Sequence, residues 1–124
     1  MQPGVFTKSD AEADASPFDW GSIQWVASAE RGNARHTTVG RVTIRKGFSN
    51  PPHSHATCEE VLHLLRGRLE HVVGDQMVVL GPGDTLVIPA GVIHSARSVG
   101  DDDAQMIVAY PAGHRDFVPA RKER

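Results

Sequence analysis

The sequence predicts an all-β domain of the sandwich, jelly-roll or barrel type, and three observations carry that prediction. From Phe18 onward the chain breaks into short runs of β-forming residues. No apolar pattern at helical spacing is sustained over ten residues. Gly, Pro, Asn and Asp punctuate the runs at regular intervals, which favours antiparallel sheets that close or stack.

Taken in order, the predicted strands cover residues 23–27, 37–45, 61–66, 69–73, 77–80, 85–88, 93–99 and 105–110. In the second run Val42 and Ile44 alternate with Arg41, Thr43 and Arg45, the pattern of a strand with one face on a core. Turns fall at Gly74-Asp75, Gly81-Pro82-Gly83-Asp84 and Gly100-Asp101, where glycine permits positive φ and aspartate bonds its own backbone. Residues 1–17 read as an N-terminal arm or edge segment, residues 18–118 as the folded domain and residues 119–124 as a tail. Arg121, Lys122 and Arg124 in that tail form the one clustered basic stretch.

A chain of 124 residues suits one domain with one core. Thirteen basic and fifteen acidic residues give a formal net charge of -2, and no basic stripe is long enough to bind a polyanion, so nucleic acid is not an expected partner. Neither a membrane-length apolar run nor a secretory signal is seen, so a soluble cytoplasmic chain is expected. The single cysteine, Cys58, excludes an intrachain disulfide, fits a reducing compartment and reads as a small buried hydrophobe.

Two stretches carry chemistry. The first is Gly47, five residues, His53-Ser54-His55, four residues, Glu60, six residues, Gly67. Histidines separated by one residue on an extended chain project from one face, about 7 Å apart at Cα, so both rings can reach a single ion. The second is Gly83, five residues, Pro89-Ala90-Gly91, two residues, His94, three residues, Ser98. Its turn delivers one more imidazole to the start of a strand.

Together these stretches resemble the paired motifs of the cupin superfamily, over residues 47–98. The resemblance implies a double-stranded β-helix, a small jelly-roll barrel, with a divalent metal ion held by His53, His55, Glu60 and His94 in its mouth. The family's final Asn is Ser98 here, which leaves the ligands intact. Strict alternation from His55 selects Glu59 as the inward carboxylate. The six-residue gap to Gly67 and the shared face with Leu62 and Leu64 select Glu60, provided that a turn at Ala56, Thr57 and Cys58 breaks the register. Homodimerisation through the N-terminal strands is also implied by the resemblance.

Three neutral imidazoles and one carboxylate around a divalent ion leave a net charge near +1 and an open position, so the site should attract an anionic or enolisable small molecule. Fe(II) is the first expectation, with Mn, Ni, Cu or Zn accommodated by the same donors. The leading functional reading is a dioxygenase-like oxidoreductase acting on a small enol, phenol or carboxylate. The alternatives are an isomerase, decarboxylase or lyase that uses the ion as a Lewis acid, and a non-catalytic small-molecule or sugar-binding module.

Glu60 and His71 are the candidate proton carriers, His71 because it shares a face with Leu69 and Val73. Arg45 and Arg97 are the candidate anion-binding residues of the pocket. His63 reads as an ordinary strand residue, and His36 and His114 as solvent-facing. Phe18, Trp20, Trp25 and Phe48 either line a pocket or cover a barrel opening or subunit interface. Tyr110 lies outside the first motif, which argues against lyases that need a motif tyrosine beside the metal.

Overall fold

Alternation of apolar and polar residues along the short runs is expressed in a computed structural model that describes residues 7, 9 and 15–120. Its strands are β1 (Ala15–Phe18), β2 (Gly21–Ala27), β3 (Thr38–Ile44), β4 (His53–Ser54), β5 (Glu60–Arg66), β6 (Leu69–Val73), β7 (Gln76–Leu80), β8 (Thr85–Ile88), β9 (His94–Ser98), β10 (Ala104–Tyr110) and β11 (Val118–Pro119). Among the described residues there is no helix, and hence none long and apolar enough to cross a membrane.

All eight sequence-predicted strands are present. The three extra ones are edge or site elements: β1 extends the domain back to Ala15, while β4 and β11 have two residues each and pair with one another. Pro17 sits in β1, the outermost strand of its sheet, where a residue without an N–H leaves no ladder bond unmade. The basic residues Arg121, Lys122 and Arg124 lie outside the described residues.

The strands form two antiparallel sheets, one of six in the order β1-β2-β3-β10-β5-β8 and one of five in the order β11-β4-β9-β6-β7. Consecutive inward residues of β3 (Thr38, Gly40, Val42, Ile44), β5 (Glu60, Leu62, Leu64) and β10 (Ala104, Met106, Val108, Tyr110) are buried, and the residues between them face outward. Ile44, Leu64, Leu69, Ala104 and Met106 make the dry centre of the core.

Parity carries the chemistry as well as the packing. Glu60 and Tyr110 occupy inward positions at one end of β5 and β10, while His53 pairs directly opposite His94 in the other sheet. Polar side chains from both sheets therefore meet at one end of the barrel.

The register makes a direct test on two adjacent leucines of β5, since Leu64 is fully buried and Leu65 is 44% exposed. Leu64→Ala is expected to cost about 2–5 kcal/mol and Leu65→Ala under about 1 kcal/mol, measured as the shift of the urea midpoint at constant slope.

Candidate metal centre

The site is assembled from three backbone segments, and each orients an imidazole in the same way. His53 opens β4, and its Nδ1 lies 2.8 Å from the carbonyl oxygen of Pro51. His55 follows β4, with Nδ1 2.6 Å from the carbonyl of Asp116. His94 opens β9, with Nδ1 2.9 Å from the carbonyl of Val92. A carbonyl oxygen only accepts, so in each ring Nδ1 carries the proton and Nε2 is left with a lone pair.

The two motifs are tied together by Gly91. Its φ of +80° lets the Pro89-Ala90-Gly91 turn reverse the chain, and its N–H donates to the carbonyl of His55 at 2.8 Å. One ligand atom from each of His53, His55, Glu60 and His94 falls within 4.8 Å of all the others, and all four residues are buried.

Glu60 is the hub. Its Oε1 accepts the Tyr110 hydroxyl proton at 2.7 Å and lies 3.1 Å from Nε2 of His55 and 3.5 Å from Nε2 of His94. The His94 Nε2 atom is buried and, at that longer distance, makes no hydrogen bond. Two nitrogen lone pairs aimed at an anionic oxygen repel unless a cation lies between them. Donor atoms about 2.1 Å from one ion and subtending roughly 90–110° would be about 3.0–3.4 Å apart; the two Glu60 distances, 3.1 and 3.5 Å, stand close to that range, and all four ligand atoms lie within 4.8 Å of one another. The residues present thus fit a divalent ion.

Without the ion, protons take its part. Burial by itself raises the Glu60 carboxyl, but hydrogen bonds from His55 and Tyr110 and the charge of the nearby His94 ring outweigh it and hold the group well below the ordinary carboxylate range. Burial acts to lower His94, and the Glu60 carboxylate reverses it, leaving the ring raised. His53 is pulled down to about 4, chiefly by burial, so at neutral pH it is a neutral nitrogen donor. Burial drives the Tyr110 phenol well up, and it stays a hydrogen-bond donor.

The choice between the adjacent glutamates is made by a turn. The Asp116 carboxylate accepts the N–H groups of Ala56 and Thr57, the latter at 3.1 Å, and the Thr57 hydroxyl at 2.7 Å. This pinned turn interrupts alternation after His55, so that Glu59 is exposed and Glu60 points inward with Leu62 and Leu64. Cys58 is buried in the same turn, and burial pushes its thiol up, so it stays neutral.

His53, Glu60 and His94 open onto a cavity of about 500 Å³. Its walls are largely apolar, including Ile23, Val42, Leu62, Met106 and Val108. Phe18, Trp20 and Trp25 line it; Phe48 does not, its ring lying instead beneath the Arg45 guanidinium. His71 projects into the cavity from β6, only 1% exposed, its ring 5.8 Å from that of His94 and its Nδ1 without a partner. Burial lowers it to about 4, so it too is neutral.

The arginines require a correction. Arg45 and Arg97 are both exposed and neither lines the cavity: Arg45 donates towards the Asp19 carbonyl, and Arg97 lies on the outward face of β9 between Ala96 and Ser98. Arg115, in the segment after β10, is the arginine at the cavity. Tyr110, although it comes from β10 and not from the first motif, does reach the centre, through its hydrogen bond to Glu60, contrary to the expectation from its place outside that motif. The inward parity of Ala104, Met106 and Val108 was the signal that could have found it. Phe117, stacked on His53 at 4.8 Å, left no sequence signal, being in a loop. His63 bonds Thr85 at 2.8 Å on the outer face, and His36 and His114 are exposed.

The family model for the cupin domain matches residues 40–110, more than half of the chain. The chain belongs to the cupin family. Its relatives include germin-like protein 3-8 of Oryza sativa subsp. japonica, 37% identical over 83 residues, which cover 63% of this cupin and 37% of the relative. Oxalate oxidase 1 of Hordeum vulgare is 30% identical over 86 residues, or 63% of this cupin and 43% of the relative.

This cupin therefore spans about two fifths of the length of these relatives. Among solved structures, the Lactobacillus farciminis oxalate decarboxylase formate complex superposes with a TM-score of 0.82 at 18% identity, covering 88% of this chain and 34% of that one. The polyketide cyclase RemF from Streptomyces resistomycificus superposes with a TM-score of 0.80 at 18% identity, covering 98% and 89%. At these identities the likeness establishes the fold, a double-stranded β-helix of two antiparallel sheets.

Two measurements test the centre. His94→Ala should cut the metal content of the purified protein, read by elemental analysis, several-fold or more while the β-sheet circular dichroism persists, and Glu59→Gln should leave metal content unchanged. Hydrogen bonds from Thr57 and Ala56, acting against burial, lower the Asp116 carboxyl from 3.8 to about 2. Its contribution to stability is then complete above pH 4 and lost as the pH falls from about 4 through 2. Asp116→Asn should flatten the fall of the thermal midpoint in that window.

Proposed function

We propose that this cupin is a metal-dependent enzyme that oxidises a small, largely apolar enol or phenol with dioxygen. The observation that carries the reading is the juxtaposition of a three-histidine, one-carboxylate centre with a cavity of about 500 Å³ walled mainly by aliphatic and aromatic side chains. Oxalate, the substrate named for the barley relative, is a small dianion. It would occupy a fraction of this space and leave apolar wall unsatisfied. A ring or short hydrocarbon body carrying one metal-seeking oxygen complements both parts.

His53, His55, Glu60 and His94 would hold the ion. When bound, a divalent ion supplies polarisation of the substrate oxygen and, if redox-active like Fe(II), electron exchange with dioxygen. The chain's own residues do the rest. Tyr110 donates to Glu60 and keeps that carboxylate ionised and fixed in one orientation. Trp25, Leu62, Met106 and Val108 exclude water from the reacting body, which strengthens every charge interaction inside.

His71 supports a second reading, Lewis-acid isomerisation or elimination, because a buried neutral imidazole with an unpartnered nitrogen can accept a proton from an enolisable carbon. One experiment separates the readings. Protein loaded with Fe(II) is given a β-diketone or a catechol in an oxygen electrode, and the Zn(II)-loaded form is followed without oxygen.

The expected result is oxygen consumption matched to substrate loss with Fe(II) alone. Turnover with Zn(II) in the absence of oxygen would establish the Lewis-acid reading, and no turnover with any metal or substrate would point to a binding module. Under the Lewis-acid reading, His71→Asn should lower kcat by about 10²–10⁴-fold at unchanged metal content.

A further inference from the structure

We propose that Arg115 is the specificity-determining residue of this site and selects substrates that carry a carboxylate at the end opposite the metal-bound oxygen. The proposal rests on the reading of the four-ligand centre as the place where that oxygen binds.

Three observations support it. First, Arg115 lines the cavity and has no ion-pair partner among the described residues. Its neighbours are instead three aromatic rings, with the guanidinium carbon 4.8 Å from the Trp25 ring, 5.0 Å from Phe117 and 5.9 Å from Tyr110. Rings of this kind hold a guanidinium in place through their electron-rich faces without consuming its N–H donors. The fork stays available for the bidentate geometry that a carboxylate offers.

Second, the backbone on both sides of Arg115 is fixed. The Thr38 hydroxyl donates to the carbonyls of Ala112 and Gly113 at 2.6 and 3.0 Å, and the Ala29 N–H donates to Gly113 at 3.0 Å. A Cβ at Gly113 would stand 2.1 Å from the Arg35 carbonyl oxygen, so only glycine allows this approach. On the other side Asp116 is anchored to the 56–57 turn. The arginine is thereby presented to the cavity by a braced segment.

Third, the spacing suits one class of molecule. The Phe117 ring lies 4.8 Å from the His53 ring and 5.0 Å from the guanidinium, so the cation stands within about 10 Å of the ligand histidine. An aromatic ring or short chain with an enol or phenol oxygen at one end and a carboxylate at the other spans such a gap. The apolar walls accept its middle, and each end meets a positive group.

The test compares 3,4-dihydroxybenzoate with 4-methylcatechol, which share the metal-binding oxygens and differ in the carboxylate. Binding is measured by titration calorimetry to the Zn(II)-loaded protein, whose ion exchanges no electrons with the probes. The wild type should prefer the carboxylate by about 10-fold or more. Arg115→Gln should weaken 3,4-dihydroxybenzoate about 10- to 100-fold and leave 4-methylcatechol within about twofold. Arg115→Met, which keeps the stem against the rings, serves if the Gln variant fails to fold.

Absence of preference in the wild type, failure to bind either probe, or equal weakening of both probes by the substitution would overturn the proposal. Removing the ion by chelation separates this idea from the one beneath it. Weakened binding of both probes with the carboxylate preference retained supports both, and unchanged affinity for both would refute the metal-bound pose while leaving the Arg115 arm to stand on its own result.

Discussion

A carboxylate held almost wholly out of water governs this molecule. Glu60 is 4% exposed, and an unpaired charge at that depth would cost several kcal/mol. Its partners arrive from different elements: His55 from the stretch after β4, His94 from β9 and Tyr110 from β10. Because Glu60 and Tyr110 belong to the six-stranded sheet and His94 to the five-stranded one, the same charge that needs compensation ties the sheets together. It does so at the end where apolar packing gives way to a cavity. Ile44, Leu64 and Leu69 hold the sheets by burial, and the Glu60 cluster holds them where burial is lacking.

The segment after β10 shows how one stretch can serve both orientation and register. The carbonyl of Asp116 fixes the tautomer of His55, and its side chain pins the turn that sets Glu60 inward. Phe117 covers His53, and β11 pairs with β4. Removal of the Asp116 carboxylate therefore loosens a turn, whereas displacement of its backbone would also free a ligand ring. The two effects differ in kind, and only the second acts directly on the lone pair that faces the ion.

Legibility in the sequence followed the physical range of each signal. Alternation is local, so eight of the nine strands longer than two residues were readable from residues two apart, and Leu62 and Leu64 turned Glu60 inward where counting from His55 would have chosen Glu59. The histidines were readable because their spacing lies within two short motifs. The two-residue strands β4 and β11 carry no periodicity at all. Arg115 and Phe117 reach the site through a loop whose course depends on Thr38, Gly113 and Asp116, contacts that span more than fifty residues of sequence. Arg45 and Arg97 were the candidate anion-binding residues, yet strand parity turns Arg97 outward, and Arg45, just past the end of β3, is exposed.

Net charge is a poor guide to the cavity's preference. The chain's formal charge is -2, which by itself disfavours an anionic ligand. The field inside is set by nearer groups: a divalent ion would outweigh the single negative charge of Glu60, and Arg115 adds another positive charge at the wall. The acidic run Asp101-Asp102-Asp103 precedes Ala104 at the start of β10, while Tyr110 at its end touches Glu60. Six residue steps of extended chain put about 20 Å between those ends, more than two Debye lengths at physiological salt. Solvent ions therefore screen the acidic run from the mouth of the barrel, whereas the apolar walls would weaken the screening of an ion bound at the centre. With an ion bound, an anion entering this space would meet attraction that the overall charge of the protein does not reveal.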